Sequence, residues 1–169
     1  MSNTQPEVTL VVPIKGELDV LRYKTILRPS IDGLRGCELL VITNEDIQPD
    51  STEHLKVRVV SDDQFKIETS VSGWGKQQVL KIKSWKYIDT PWALCIDADC
   101  VFLFSGHISL LMPQGRPFCS WSGPLKGEQE NWWNVASDIT KTPKPDIRCG
   151  VTPMFLKVET CKKLDLALD

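Results

Sequence analysis

Residues 92–100, Trp-Ala-Leu-Cys-Ile-Asp-Ala-Asp-Cys (WALCIDADC), decide how the rest of the chain is read. A short apolar run with no polar alternation suits a strand covered on both faces. It ends abruptly in Asp97 and Asp99, and in extended backbone two carboxylates one residue apart point the same way. Working outward, Val8 to Ile14 (VTLVVPI), Glu38 to Thr43 (ELLVIT) and Val57 to Val60 (VRVV) read as strands of the same kind. Asp19 to Leu27 reads as a helix stopped near Pro29, and Gly73 to Ile88 as a second, ended by Asp89-Thr90-Pro91. Further on, Phe118 to Trp121 reads as a fifth strand, Glu128 to Ile139 as a helix, and Gly150 to Val158 as a strand or loop-strand. Strands alternating with helices predict an α/β fold: one domain over 1–169, with a mostly parallel, Rossmann-like sheet flanked by helices. Ligands of such sheets collect at the carboxyl ends of the strands. Here those ends carry Pro13-Ile14-Lys15, Asn44, Asp62-Asp63 and Asp97-x-Asp99.

The composition fits this reading. With 169 residues, 41% of them hydrophobic and 25% charged, the chain can bury a sizeable core. A net charge of −2 points away from nucleic acid and from an anionic membrane as partners. No apolar stretch approaches the roughly 20 residues of a transmembrane segment. Met1 to Glu7 lacks the charged-then-apolar pattern of a signal peptide, so a cytoplasmic protein is expected. Cys37, Cys95, Cys100, Cys119, Cys149 and Cys161 include no C-x-x-C pair, and His54 and His107 are the only histidines. Buried, reduced thiols are therefore expected rather than a zinc site or a disulfide framework.

Two signals carry chemistry. Asp97 and Asp99 suit a hard divalent cation, Mn²⁺ or Mg²⁺, completed by phosphate oxygens. Like charges this close repel, which a cation relieves. The competing account is a solvated turn. On the helix GWGKQQVLKIKSWK, Lys76, Lys83 and Lys86 cluster on one side of the wheel, as a solvent face would. Lys81 falls opposite, with Gln77, Ser84 and Ile88, where an ammonium meets an anionic ligand such as a diphosphate, snorkels to water or pairs with an aspartate. Weaker features are Pro13-Ile14-Lys15-Gly16, which could present amides to a base or ribose, and Gly150-Val151-Thr152-Pro153, a pocket wall or a plain turn. Trp132 and Trp133 suit sugar stacking or the core. No Gly-rich phosphate loop, nucleophile elbow or His-based triad is present.

VTLVVPIKG, GWGKQQVLKIKSWKYI, WALCIDADCVF and GVTPMF together resemble the small glycosyltransferases of bacteria and large algal viruses, which adopt the GT-A fold and carry a DxD motif. The similarity spans roughly residues 8–158 and is close to the amino-terminal transferase domain of multi-domain chlorovirus glycosyltransferases. It implies a GT-A-like fold, a UDP-sugar donor, a glycan acceptor and Mn²⁺ or Mg²⁺, with a hexose or deoxyhexose transferred, by analogy with inversion. It further implies that Asp99 ligates the metal and Asp97 the ribose or the metal shell. Pro13, Lys15 and Asp62 or Asp63 would border base and ribose, Lys81 the phosphates or ribose, and Gln78 the donor sugar. Gly150, Thr152 and Pro153 would flank the acceptor. Such domains continue past GVTPMF into helices that often supply a catalytic carboxylate. A chain ending at Asp169 leaves open a C-terminally shortened form, a split gene product or an inactive relative. Asp146, just ahead of Gly150, is the speculative candidate for the general base, although a loop acid is more often just solvated.

Two rivals share the architecture. A sugar nucleotidyltransferase needs a Gly-rich loop with Arg and Lys after the first strand, and PIKGELDVLRYK lacks that glycine density. A catalytically inactive or incomplete binding module would keep the sheet and lose the chemistry.

Overall fold

The apolar runs divide their side chains between two cores, as strands buried on both faces must. The computed structural model describes residues 7–68, 71, 73–118 and 153–168, together with 121–124, 130, 134, 137–138, 141, 143 and 147–149. In chain order the elements are β1 (Val8–Pro13), α1 (Gly16–Arg22), a π turn (Tyr23–Leu27), α2 (Arg28–Ile31), β2 (Leu34–Arg35), β3 (Cys37–Ile42) and β4 (Lys56–Val60). Then come α3 (Gly73–Lys83), β5 (Trp92–Cys95), β6 (Gly106–His107), β7 (Trp121–Pro124), β8 (Ile147–Cys149), β9 (Met154–Lys157) and α4 (Val158–Leu168).

The main sheet has the order β4-β3-β1-β5-β9. Its first four strands are parallel, and β9 runs antiparallel to β5 at the edge. Val11 of β1 sits opposite Leu40 on one side and Cys95 on the other. Leu10, Val12, Leu39, Val41, Leu94 and Ile96 pack against Tyr23, Leu27 and Ile31. Val11, Leu40, Ile42, Ala93 and Cys95 pack against Leu80 and Ile88. The chain steps from β1 out to β3 and β4, then returns to the other flank of β1 at β5. Strand order therefore reverses between β1 and β5, which opens a crevice at their carboxyl ends.

An α/β fold with a mostly parallel sheet flanked by helices is what the sequence predicts, and the structure has it. The first helix differs from expectation: it begins at Gly16 and does not stop before Pro29. Arg28 N–H reaches the carbonyl of Tyr23, five residues back, and this π turn widens the coil just where a proline lacks a donor. The second helix turns 3-10 at Ser84–Tyr87. The candidate strand at Phe118 to Trp121 begins instead at Trp121, and Phe118 is exposed. Helix α4 was not anticipated.

Met1–Phe118 and Thr152–Asp169 form one compact unit, and Cys119–Val151 a second. Within the second, β7 and β8 pair antiparallel. The helix expected over Glu128 to Ile139 falls largely outside the described residues, as do Trp132 and Trp133. Cys37, Cys95 and Cys161 are buried free thiols and Cys100 is half-buried. Among the described residues no helix is long and apolar enough to cross a membrane.

Candidate functional site

The crevice between β1 and β5 holds the paired aspartates. Ile96 N–H donates to Val11 O at 3.0 Å, so β5 stays aligned with β1 up to the first carboxylate. Beyond it Cys100 N–H donates to Asp97 O at 3.0 Å, closing a tight turn. The backbone is thus turned rather than extended, yet both carboxylates border one cleft of about 180 Å³. Its walls are Pro13 at the end of β1, Asp19 and Arg22 of α1, Gln77 of α3 and the Asp97–Asp99 turn.

Lys81 lies beneath this turn. Its ammonium is 2.9 Å from Asp97 Oδ1, with the lysine side chain 3% exposed and the aspartate 44%. Helical spacing explains the placement, because Lys81, Ser84 and Ile88 are all buried on the sheet-facing side of this segment. Within the protein itself, that ammonium is paired with an aspartate. Asp99 is more open, 56% exposed, and its Oδ2 is 4.0 Å from Arg22 Nη1. Arg22 also donates to Asp19 Oδ1 at 3.5 Å.

As a cation site, the turn offers two hard oxygen donors on one cleft, which fits Mg²⁺ or Mn²⁺ with the rest of the shell supplied by ligand or water. Among the described residues no three His, Cys, Asp or Glu side chains converge as ligands, so the protein alone does not complete a shell. The neighbouring thiols are poor candidates. Burial, opposed by Lys81, pushes Cys95 up to about 12, and burial also raises Cys100.

The other expected residues disperse. Lys15 is exposed, and its backbone N–H donates to Asp19 Oδ2 at 3.3 Å. Gly16 has φ of +78°, a conformation easy only for glycine, and its N–H is taken by Glu45 Oε1 at 2.8 Å. Asp62 pairs with Lys76 at 2.7 Å and accepts from Asn44 Nδ2, beyond the residues that line the cleft. Asp63 is exposed, and its N–H donates to Ser61 Oγ. Gln78 is half-buried, while Gln77 lines the cleft. Pro153 is exposed just ahead of β9. Asp146, Gly150 and Thr152 lie outside the described residues.

One expectation is corrected: Lys76, Lys83 and Lys86 do not form a free solvent face. Lys76 holds Asp62, while Lys83 and Lys86 converge on the buried Asp165 of α4 at 2.7 and 3.0 Å. Long-range partners, invisible to a helical wheel, claim them. Sequence reasoning missed Asp19, Arg22 and Gln77. The signal for the first pair was their i, i+3 spacing on the helix that directly follows Pro13.

No curated protein matches this chain. A model of the family of unknown function DUF6492 matches residues 10–169, a span that takes in the whole cleft, and the chain belongs to that family.

Proposed function

We propose that this chain is a GT-A-like, nucleotide-sugar-dependent glycosyltransferase domain, which uses a divalent cation to move a hexose or deoxyhexose from a UDP-sugar to a glycan acceptor. The observation that carries the reading is the pairing of Asp97 and Asp99 on one cleft at the point where strand order reverses, with a buried lysine under the first of them. Anionic ligands of parallel sheets are bound at such a point.

Each residue then has a physical task. Lys81 fixes Asp97 from below through an ion pair of 2.9 Å. Asp99, the more open carboxylate, is the one free to ligate a cation. Pro13 and Gln77 are among the walls against which the nucleoside and its phosphates would lie. The cation, when bound, would offset charge developing on the departing nucleoside diphosphate. The capture of Gly16 N–H by Glu45 speaks against the nucleotidyltransferase alternative, because the first strand-to-helix turn does not offer that amide to a triphosphate.

Calorimetric titration with UDP, in the presence and absence of Mn²⁺, tests the reading. Binding strengthened by Mn²⁺ is expected, and Asp99→Ala should lower that metal-dependent affinity roughly 10- to 100-fold, as loss of one charged ligand would. A folded wild-type chain that does not bind UDP with Mn²⁺ present would defeat it.

A further inference from the structure

The cleft gathers three carboxylates, Asp19, Asp97 and Asp99, and two cations are in reach, Arg22 and Lys81. Lys81 is buried and already bonded to Asp97 at 2.9 Å. The amide at the start of α1 is engaged by Glu45. Arg22 differs from both. It lines the cleft, its side chain is 40% exposed, and it is held by contacts of 3.5 Å to Asp19 and 4.0 Å to Asp99. Both distances are too long for strong hydrogen bonds. A guanidinium has five donors in a planar fork that matches phosphate oxygens two at a time, and here those donors are weakly committed.

Resting on the transferase reading, we infer that Arg22 is the residue that grips the diphosphate of the donor. Without a cation it stands between Asp19 and Asp99 and offsets their repulsion. When Asp99 turns to a cation, that role ends and the guanidinium is released to the phosphate oxygens. Lys81 sets the position of Asp97, and Arg22 touches the ligand.

This arrangement predicts effects of opposite sign on two ligands, which a merely structural role would not produce. In the full chain, Arg22→Gln should weaken UDP binding at saturating Mn²⁺ roughly 10- to 100-fold, the value of one charge-assisted pair. Uridine binding should not change. Mn²⁺ alone, followed by electron paramagnetic resonance, should bind several-fold more tightly, because Asp99 has lost its cationic neighbour. Arg22→Lys should restore the wild-type Mn²⁺ affinity but only part of the UDP affinity, since an ammonium lacks the fork. Inorganic pyrophosphate with Mn²⁺, titrated against wild type and Arg22→Gln, separates the two claims. An Arg22-dependent pyrophosphate affinity in a chain that ignores UDP would sink the transferase reading and keep only the contact of Arg22 with a diphosphate. UDP and pyrophosphate affinities within two-fold of wild type in Arg22→Gln would overturn the inference. So would a parallel loss of Mn²⁺, uridine and UDP binding.

Discussion

Helix α3 and the turn after it carry two lysine–aspartate clusters built with opposite polarity. At the cleft the lysine is the buried member, 3% exposed, and its partner Asp97 is 44% exposed. At the contact with α4 the aspartate is buried, Asp165 being 1% exposed, while Lys83 and Lys86 are 15% and 40% exposed. Trp85 Nε1 also donates to Asp165 Oδ2 at 2.8 Å. A carboxylate buried among two ammoniums and an indole does not face a ligand. One anchored from below, with its outer face on a cleft, does. The two ion clusters thus differ in what they leave open: the first presents a carboxylate to the cleft, the second ties α3 to α4.

The difference can be broken by substitution. Asp165→Asn leaves two lysines and an indole facing an amide, and breaking an ion pair at a buried member costs about 3 kcal/mol. For a chain of this size that is a fall of roughly 6–12 °C in melting temperature, measured by calorimetry. A fall below about 2 °C would mean that α4 is held by other contacts.

Acid gives the next largest effect. Burial alone would raise the Asp165 carboxyl, but Lys83, Lys86 and Trp85 outweigh it and hold the group at about 2. A carboxyl whose folded pKa lies below its ordinary value stabilises the fold fully above that ordinary value, about 4. The contribution is lost as pH falls from there through about 2, and amounts to about 2 kcal/mol. Urea denaturation of wild type and Asp165→Asn across this window should show the gap between them closing as the pH drops.

How much of this was legible depends on which side chains face inward. The parallel strands could be read because burial on both faces leaves uniform apolar runs, and Lys81 because a lone charge stood on the side of the wheel opposite Lys76, Lys83 and Lys86. Helix α4 escaped because two of its inward residues, Cys161 and Asp165, are a thiol and an acid at i, i+4 spacing, while Leu164 and Leu166 are exposed. The same inversion hides the role of α1. There Leu18 and Leu21 face solvent, so the helix shows no clean apolar stripe from which the cleft-facing Asp19 and Arg22 could be picked out. The antiparallel sense of β9 against β5 is encoded by no local pattern. Asp62 was placed correctly at a strand end, but its commitment to Lys76 is a contact between distant segments.

The smallest expected effect on stability is the one that tests the cleft cluster. Lys81→Met removes a desolvated ammonium and keeps the shape of its stem. Asp97, nearly half exposed, can return to water once the ammonium is gone. Replacing a buried charge by an apolar side chain of similar volume is often neutral or stabilising, so the unfolding free energy should stay within about 1 kcal/mol of wild type, or rise. Affinity for UDP with Mn²⁺ should nonetheless fall roughly 10-fold, because Asp97 loses the contact that fixes it. Loss of stability comparable to Asp165→Asn would show that the pair at the cleft is also a structural tie, and the contrast between the two clusters would collapse. Stability retained with binding lost is the signature of a charge placed for a ligand, at the expense of nothing the fold requires.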